Sequence, residues 1–264
     1  MAGNQGSLTS VAFAASVAGR FARDALALGE GEVCALFRRS FYLRFPGGNY
    51  ACVGDLSLGR GPLNALVTSF SPPAFGARIS VSLENASLWQ PPRLVPHGSA
   101  NLIGLRKAVM ERIPEDGFGC LVAGTHNALS VHAQPALEAI DRWLVGNALG
   151  AEAAQLIGLG PGLTPSGDDY LGGVMVALHA LGRGAQSAGL WRWLEPRLAE
   201  RTSAISAAHL AAAAAGEAHE ALHACLVELF KSTNEWDVAL TQLSAVGHGS
   251  GWDGLAGALA VCGS

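Results

Sequence analysis

The two halves of this sequence carry different residue patterns, and this contrast restricts the chain to folds that keep strands and helices apart. In the first half, residues 41–45 alternate in polarity, and Pro46-Gly47-Gly48-Asn49 precedes another apolar run at 50–53. Two such runs around a turn predict a β-hairpin. Further strands are predicted at 32–37, 63–67, 78–83 and 120–123, with a helix at 101–112.

The second half is rich in alanine and leucine from Pro135 onward, and glycine-rich breaks interrupt it. This pattern predicts about five helices of ordinary length. Strands followed by helices, without alternation, are typical of the α+β class. We therefore expect a β-rich N-terminal region of antiparallel hairpins at 1–130 and a helical region at 131–264.

The composition excludes several classes of protein. The chain has 264 residues, 50% hydrophobic and 14% charged, with a net charge of −4. It is too apolar to be mainly disordered, and 17 Lys and Arg residues provide no basic face for nucleic acid. No apolar run approaches the roughly 18 residues that a membrane-spanning helix needs. These features predict a chain with neither nucleic acid nor membrane as its partner.

The cysteines and the first apolar segment bear on the compartment. Five cysteines are scattered without Cys-x-x-Cys spacing, which is typical of proteins from a reducing compartment. Residues 11–19 resemble the apolar part of a signal peptide, but no Lys or Arg precedes them. The prediction is a cytoplasmic protein.

Two glycine-rich segments contain the same short motif. The first elbow (residues 158–169) ends in Ser166-Gly-Asp-Asp169, and the second elbow (residues 247–253) ends in Ser250-Gly-Trp-Asp253. Each motif precedes a helical apolar period, so both serines are predicted to cap helices. Asp168 lies three, four and seven positions before Leu171, Gly172 and Met175, so it should point toward the packed face and need a partner.

Capping does not explain the other glycines and prolines of the first elbow, and a ligand site is the alternative interpretation. Glycines permit a ligand to approach the backbone, and free amides at a helix start favour phosphate or carboxylate. The Gly-Lys-Ser/Thr of a Walker loop is missing. Because the aspartates would repel a bare anion, either Arg201 lies near or the carboxylates bind hydrogen-bond donors. Thr202, Ser206 and His209 form a polar stripe after Arg201, or simply an exposed face.

The spacing His219-Glu220-Ala-Leu-His223 matches a zinc-hydrolase motif if it lies inside a helix, with Glu220 activating water. The extended form of the motif places a glycine and a third histidine downstream, where this chain has Leu226 and Leu229. A chance match is the alternative, and we predict neither a metal nor another cofactor.

Three segments, at 160–178, 201–220 and 246–259, together resemble the bacterial "domain of unknown function 2877" family. The family is mostly uncharacterised. One branch is associated with the accessory subunit of oxamate carbamoyltransferase in allantoin degradation, where several subunits act together and carbamoyl is exchanged between oxalurate and phosphate. Gly249 and Ser203 stand where the resemblance implies threonine, and the His219–His223 spacing is not part of the family pattern.

Three functional hypotheses remain open. The first is a subunit of, or by itself, a carbamoyl- or acyl-transferring enzyme for a small ureido or carboxylate substrate. In it Asp168 orients an amide nitrogen and His248 carries a proton. The second is a non-catalytic accessory subunit whose apolar surface docks partner subunits or copies of itself. The third is the zinc hydrolase. The residues predicted to bind the substrate are Gly162, Thr164, Ser166, Gly167, Asp169, Arg201, Thr202, Ser206, Ser250, Trp252 and Asp253.

Overall fold

The computed structural model describes residues 11–95, 98–231 and 235–263. It confirms the α+β class: a strand region is followed by a helical one. The chain divides into two compact units between Gln90 and Pro91, whereas the sequence predicts a division at 130/131. The reason is that strand structure ends at Trp89, and helices from residue 102 onward contribute to the core of the second unit.

The first unit contains seven strands and one helix. The strands are β1 Val11–Gly19, β2 Gly31–Leu36, β3 Ser40–Phe45, β4 Asn49–Asp55, β5 Asn64–Val67, β6 Arg78–Ser82 and β7 Ser87–Trp89, and the helix is α1 Arg20–Leu26. The strand order is β5-β4-β3-β2-β6-β1-β7, and the sheet closes on itself because β5 also pairs with β1. The predicted hairpin is confirmed: β3 and β4 pair antiparallel, and Gly47 and Gly48 adopt positive φ in the turn.

The core of the first unit depends on the segment that resembles a signal peptide. This segment is β1, which pairs with β5, β6 and β7. Its Phe13 packs against Phe41 of β3, with ring centroids 5.4 Å apart. Its sequence is almost entirely apolar, with no alternation of polar and apolar residues, so the sequence pattern did not predict it as a strand.

The second unit is helical. Its helices are α2 Leu102–Val109, α3 Gly119–Ala123, α4 Ala128–His132, α5 Gln134–Leu144, α6 Ser166–Ala180, α7 Gly184–Arg201, α8 Ala204–Ala214, α9 Glu220–Leu229, α10 Trp236–Ser244 and α11 Ser250–Cys262. The predicted strand at 120–123 is wrong, because these residues form α3. An apolar run of this length fits a strand and a buried helical turn equally well. None of the helices within the described ranges is both long and apolar enough to cross a membrane.

Helices α6 and α11 form the centre of the second unit and place the two elbows. Their backbones touch at two related points. A Cβ on Gly173 would lie 1.9 Å from the carbonyl oxygen of Gly254, and a Cβ on Gly257 would lie 1.9 Å from that of Tyr170. Real Cβ atoms do not approach backbone oxygens this closely, so only glycine fits at 173 and 257. The two helices therefore approach more closely than side chains would permit.

Candidate functional site

The two elbows meet at the N-terminal ends of α6 and α11. The hydroxyl oxygens of Thr164 and Ser250 are 3.0 Å apart, although the two residues are 86 positions apart in the sequence. Together with the glycine contacts further along, this contact shows that α6 and α11 begin at the same end of the pair. The structure thus brings together the two segments that carry the Ser-Gly-x-Asp motif.

The serines of the two motifs bond across the helix pair. Ser166 of the first elbow donates to Asp253 of the second, and Ser250 of the second donates to Asp169 of the first. The prediction that both serines cap their helices is wrong. Pro165 and Gly249 occupy the N-cap positions, and neither helix has a side-chain cap. The serines are the first residues inside the helices, so each hydroxyl reaches the other helix.

Asp168 points inward, as predicted, and is 2% exposed. Its Oδ1 accepts a hydrogen bond from the Gly158 amide at 2.8 Å. Its Oδ2 accepts from the hydroxyls of Thr202 and of Ser206, the latter at 2.6 Å. Charge-assisted bonds of this kind are stronger than neutral ones. This one carboxylate therefore holds the start of the first elbow against the segment that contains Thr202 and Ser206.

The segment around residues 201–206 completes the assembly. Ser203 donates to the Leu163 carbonyl at 2.7 Å and caps α8 by accepting from the Ser206 amide at 3.0 Å. Gly158 lies against the Arg201 backbone, because a Cβ there would meet the Arg201 carbonyl oxygen at 2.0 Å. The Arg201 side chain is exposed, and its Nη1 donates to the Ala154 carbonyl at 3.4 Å. The backbone of this segment belongs to the assembly, while its guanidinium faces outward.

Asp169 and Asp253 are the other carboxylates of the site. Burial raises the pKa of Asp169 well above its usual value, and the nearby Asp253 and Asp168 raise it further, against the hydrogen bonds from Ser250 and Thr164. Its Oδ2 is inaccessible and has no hydrogen-bond partner within the described part of the chain. Burial also raises the pKa of Asp253, whose Oδ1 accepts from the Phe118 amide. Asp169 thus retains an unused oxygen at the point where the elbows meet.

Five of the amides at the two helix starts already have internal partners. The Gly167 amide donates to the Leu159 carbonyl, and those of Asp168 and Asp169 donate to the Pro165 carbonyl. At α11, the Gly251 amide donates to the Val246 carbonyl, and the Asp253 amide to the Gly249 carbonyl. These groups are therefore not available for the anion that the sequence analysis assigns to them.

The other predicted site residues differ in position. Trp252 is 2% exposed and belongs to the hydrophobic core, and Gly167 is in close contact with the Leu156 backbone. Gly162 and His248 are exposed, each on its own elbow, and Gly162 has a φ of +99°. The structure thus places Trp252 and Gly167 in the packed interior, and Gly162 and His248 at the surface.

The histidines of the predicted zinc motif serve as hydrogen-bond acceptors. His219 precedes α9 as its N-cap instead of lying inside a helix, and its Nδ1 accepts from the Ala221 amide at 3.2 Å. His223 Nε2 accepts from the Ala218 amide at 3.1 Å. Burial lowers the pKa of His223 to about 4, with nearby His219 lowering it further, so it is neutral at pH 7. Among the described residues, no group of three or more His, Cys, Asp or Glu side chains is placed to hold a metal.

Sequence reasoning missed two backbone positions of the site. Gly158 donates to Asp168, and Phe118, from a segment far from both elbows, donates to Asp253. One sequence signal does anticipate part of the arrangement. The pattern Ser-Gly-x-Asp-x-Leu-x-Gly occurs at 166–173 and again at 250–257, and its final glycines are those of the close helix contact. The repeat therefore encodes both the crossed serine–aspartate bonds and the helix packing.

One comparison with known proteins finds a match, which covers part of the second unit. A family model described as oxamate carbamoyltransferase subunit AllH matches residues 156–262, which include both elbows and the segment between them. The match confirms the family resemblance over this part of the chain. No curated protein and no solved structure matches the sequence.

Proposed function

Starting from the match of residues 156–262 to the oxamate carbamoyltransferase subunit family, we propose that this chain is a subunit of a carbamoyl-transferring enzyme complex. We further propose that the joined elbows bind the N–H-bearing end of a small ureido or oxamate-like substrate. The observation that carries the proposal is that three segments, separate in sequence, meet through Asp168 and through the Thr164–Ser250 contact.

The charges of the site favour a ligand with hydrogen-bond donors. Three carboxylates lie together here, and five of the amides at the helix starts are already bonded, so a bare phosphate would meet repulsion with few free donors to offset it. A carbamoyl or ureido group instead presents N–H donors. In this proposal the elbows open on binding, so that the unpaired Oδ2 of Asp169, which is inaccessible in the structure, accepts one of these donors. A buried acceptor gains most from such a bond, because leaving it unpaired costs about 1–3 kcal/mol.

Each residue then has a specific part in the proposal. Asp169 accepts the ligand N–H, and the exposed Arg201 guanidinium attracts the carboxylate or phosphate end of the substrate. His248, exposed on the second elbow, exchanges a proton with the substrate. Asp168 acts as a positioning residue, because both of its oxygens are occupied by protein donors.

Isothermal titration of the purified chain with oxamate, oxalurate, carbamoyl phosphate and phosphate tests this proposal. We expect Asp169→Asn to weaken the binding of oxalurate, oxamate and carbamoyl phosphate by about tenfold and to leave phosphate binding unchanged, because phosphate alone has no N–H group to donate. Arg201→Gln should weaken the binding of all four ligands. Asp237→Asn is the matched control, since this exposed carboxylate on α10 contacts Arg112 and lies away from the elbows.

Wild-type protein that binds none of the four ligands contradicts the substrate-binding part of the proposal. The internal bonding of Asp168 and of the helix-start amides then favours the second hypothesis, a non-catalytic accessory subunit whose elbows are structural. In that case the chain associates with partner subunits while its melting temperature does not respond to any of the ligands.

A further inference from the structure

A cavity of about 350 Å³ lies in the second unit. It is enclosed by α2, α3, α4, α5, α6 and α11, and its described lining includes none of the elbow residues. The deep wall is apolar, with Leu105, Val122, Leu137 and Ala256 all buried. A hydrophobic cup of this size with a few polar groups is typical of small-molecule sites.

Charged side chains surround the mouth of the cup, and some of them already have partners. Glu138 accepts a hydrogen bond from Gln134 at 3.0 Å and lies 3.6 Å from Arg142. In contrast, the side chains of Arg106, His126 and Asp141 take part in no hydrogen bond or ion pair within the described ranges. Besides His126, the cup therefore has the Arg106 guanidinium of α2 and the Asp141 carboxylate of α5 free to bind a ligand.

Asp141 is exposed at the mouth of the cup and lies near the buried Tyr170. Burial raises the pKa of Asp141, and the neighbouring Glu138 raises it further, against Arg142. Tyr170 is 2% exposed and lines the same cavity, and burial together with the nearby Asp141 raises the pKa of its hydroxyl. A ligand ammonium group placed here would pair with the Asp141 carboxylate and donate to the phenol oxygen of Tyr170.

We propose that this cavity is a second small-molecule site, which binds a zwitterionic amino acid with an apolar side chain. Arg106 holds the carboxylate of the ligand, Asp141 and Tyr170 hold its ammonium group, and the leucines of α2, α3, α5 and α11 enclose its side chain. The proposal is independent of the function assigned to the elbows, since the two sites share no residue.

Three probes test the contributions of the ligand carboxylate and ammonium groups separately: L-phenylalanine, 3-phenylpropionate and phenethylamine. All three contain a phenylethyl group, and they carry both charged groups, only the carboxylate and only the ammonium, respectively. We expect a ¹H–¹⁵N chemical-shift titration to show saturable binding of phenylalanine, with a Kd on the order of 1 mM or lower and shifts centred on the cavity. Arg106→Gln should weaken the binding of phenylalanine and phenylpropionate by about tenfold and leave the binding of phenethylamine unchanged. Asp141→Asn should weaken the binding of phenylalanine and phenethylamine and leave the binding of phenylpropionate unchanged.

Both residues are exposed, so these substitutions leave the fold intact, and the exposed Lys107→Gln and Asp237→Asn provide matched controls. Ala260→Leu narrows the cavity without changing its charges and should weaken all three probes. The proposal is overturned if wild-type protein binds no probe at 10-fold above the expected Kd, or if both charge variants change the three probes equally. Neither result bears on the oxalurate titration, so failure here is distinguishable from failure of the proposed function.

Discussion

Replacing Gly173 by alanine should destabilise the helical unit by about 3 kcal/mol or more. The new Cβ would lie 1.9 Å from the Gly254 carbonyl oxygen, and a backbone atom cannot move aside as a side chain can. Overpacking of a filled core costs about 1–3 kcal/mol, and more where backbone must shift. Gly257→Ala should have a similar effect, because its Cβ would meet the Tyr170 carbonyl oxygen at 1.9 Å. Urea unfolding followed by circular dichroism at 222 nm measures the change.

The neighbouring Gly172 provides the matched control for this experiment. A Cβ on Gly172 would lie 3.6 Å from the Ala213 Cβ, which is an ordinary contact. Gly172→Ala should therefore be neutral or stabilising by up to about 1 kcal/mol, the usual gain from replacing glycine inside a helix. Equal stability of the two alanine variants would contradict the close approach of α6 and α11.

Replacing Asp168 by alanine should cost about 3–5 kcal/mol of unfolding free energy. The substitution leaves the Gly158 amide and the hydroxyls of Thr202 and Ser206 without their shared acceptor. Each unsatisfied buried group costs about 1–3 kcal/mol, and breaking a buried network is among the few causes of such large losses. Chemical denaturation of the purified variant provides the measurement.

Two further variants distinguish the effect of losing the three hydrogen bonds of Asp168 from the effect of losing a carboxylate charge. Asp168→Asn keeps the shape and one acceptor, so its loss should lie between those of wild type and the alanine variant. Asp237→Asn removes an exposed carboxylate that contacts Arg112 on the surface, and it should change stability by less than about 1 kcal/mol. An alanine variant at 168 that is no less stable than Asp237→Asn would show that the three bonds do not hold the elbow.

Local patterns in the sequence were sufficient to predict the fold class and several elements. Alternation at 41–45 and the turn at 46–49 specify the β3–β4 hairpin, since both signals act between neighbours in the chain. The strand β1 was missed because its residues are mostly small and apolar, with no alternation of polarity, and because its three pairing partners lie far away in sequence. The run at 120–123 was read as a strand because an apolar segment of this length carries no period.

In the site, too, local sequence patterns predicted some features and not the contacts between distant segments. The inward orientation of Asp168 follows from helical spacing, which is a local property, and was predicted correctly. The partners of Ser166 and Ser250 were not predicted, because a serine before a helical period looks like a cap whether its hydroxyl accepts from an amide of the next turn or donates to a carboxylate on another helix. The contact of Phe118 with Asp253 has no local signal at all.

The central claim is that the two elbows form one site, and a double-mutant cycle on Thr164 and Ser250 tests it most directly. Thr164→Val, Ser250→Ala and the double variant are compared with wild type by the free energy of unfolding. The claim predicts a coupling energy of about 0.5–1.5 kcal/mol, because the two hydroxyls are 3.0 Å apart and both donate toward Asp169. Losses that add to within about 0.3 kcal/mol would show that the elbows act separately, and would contradict the claim.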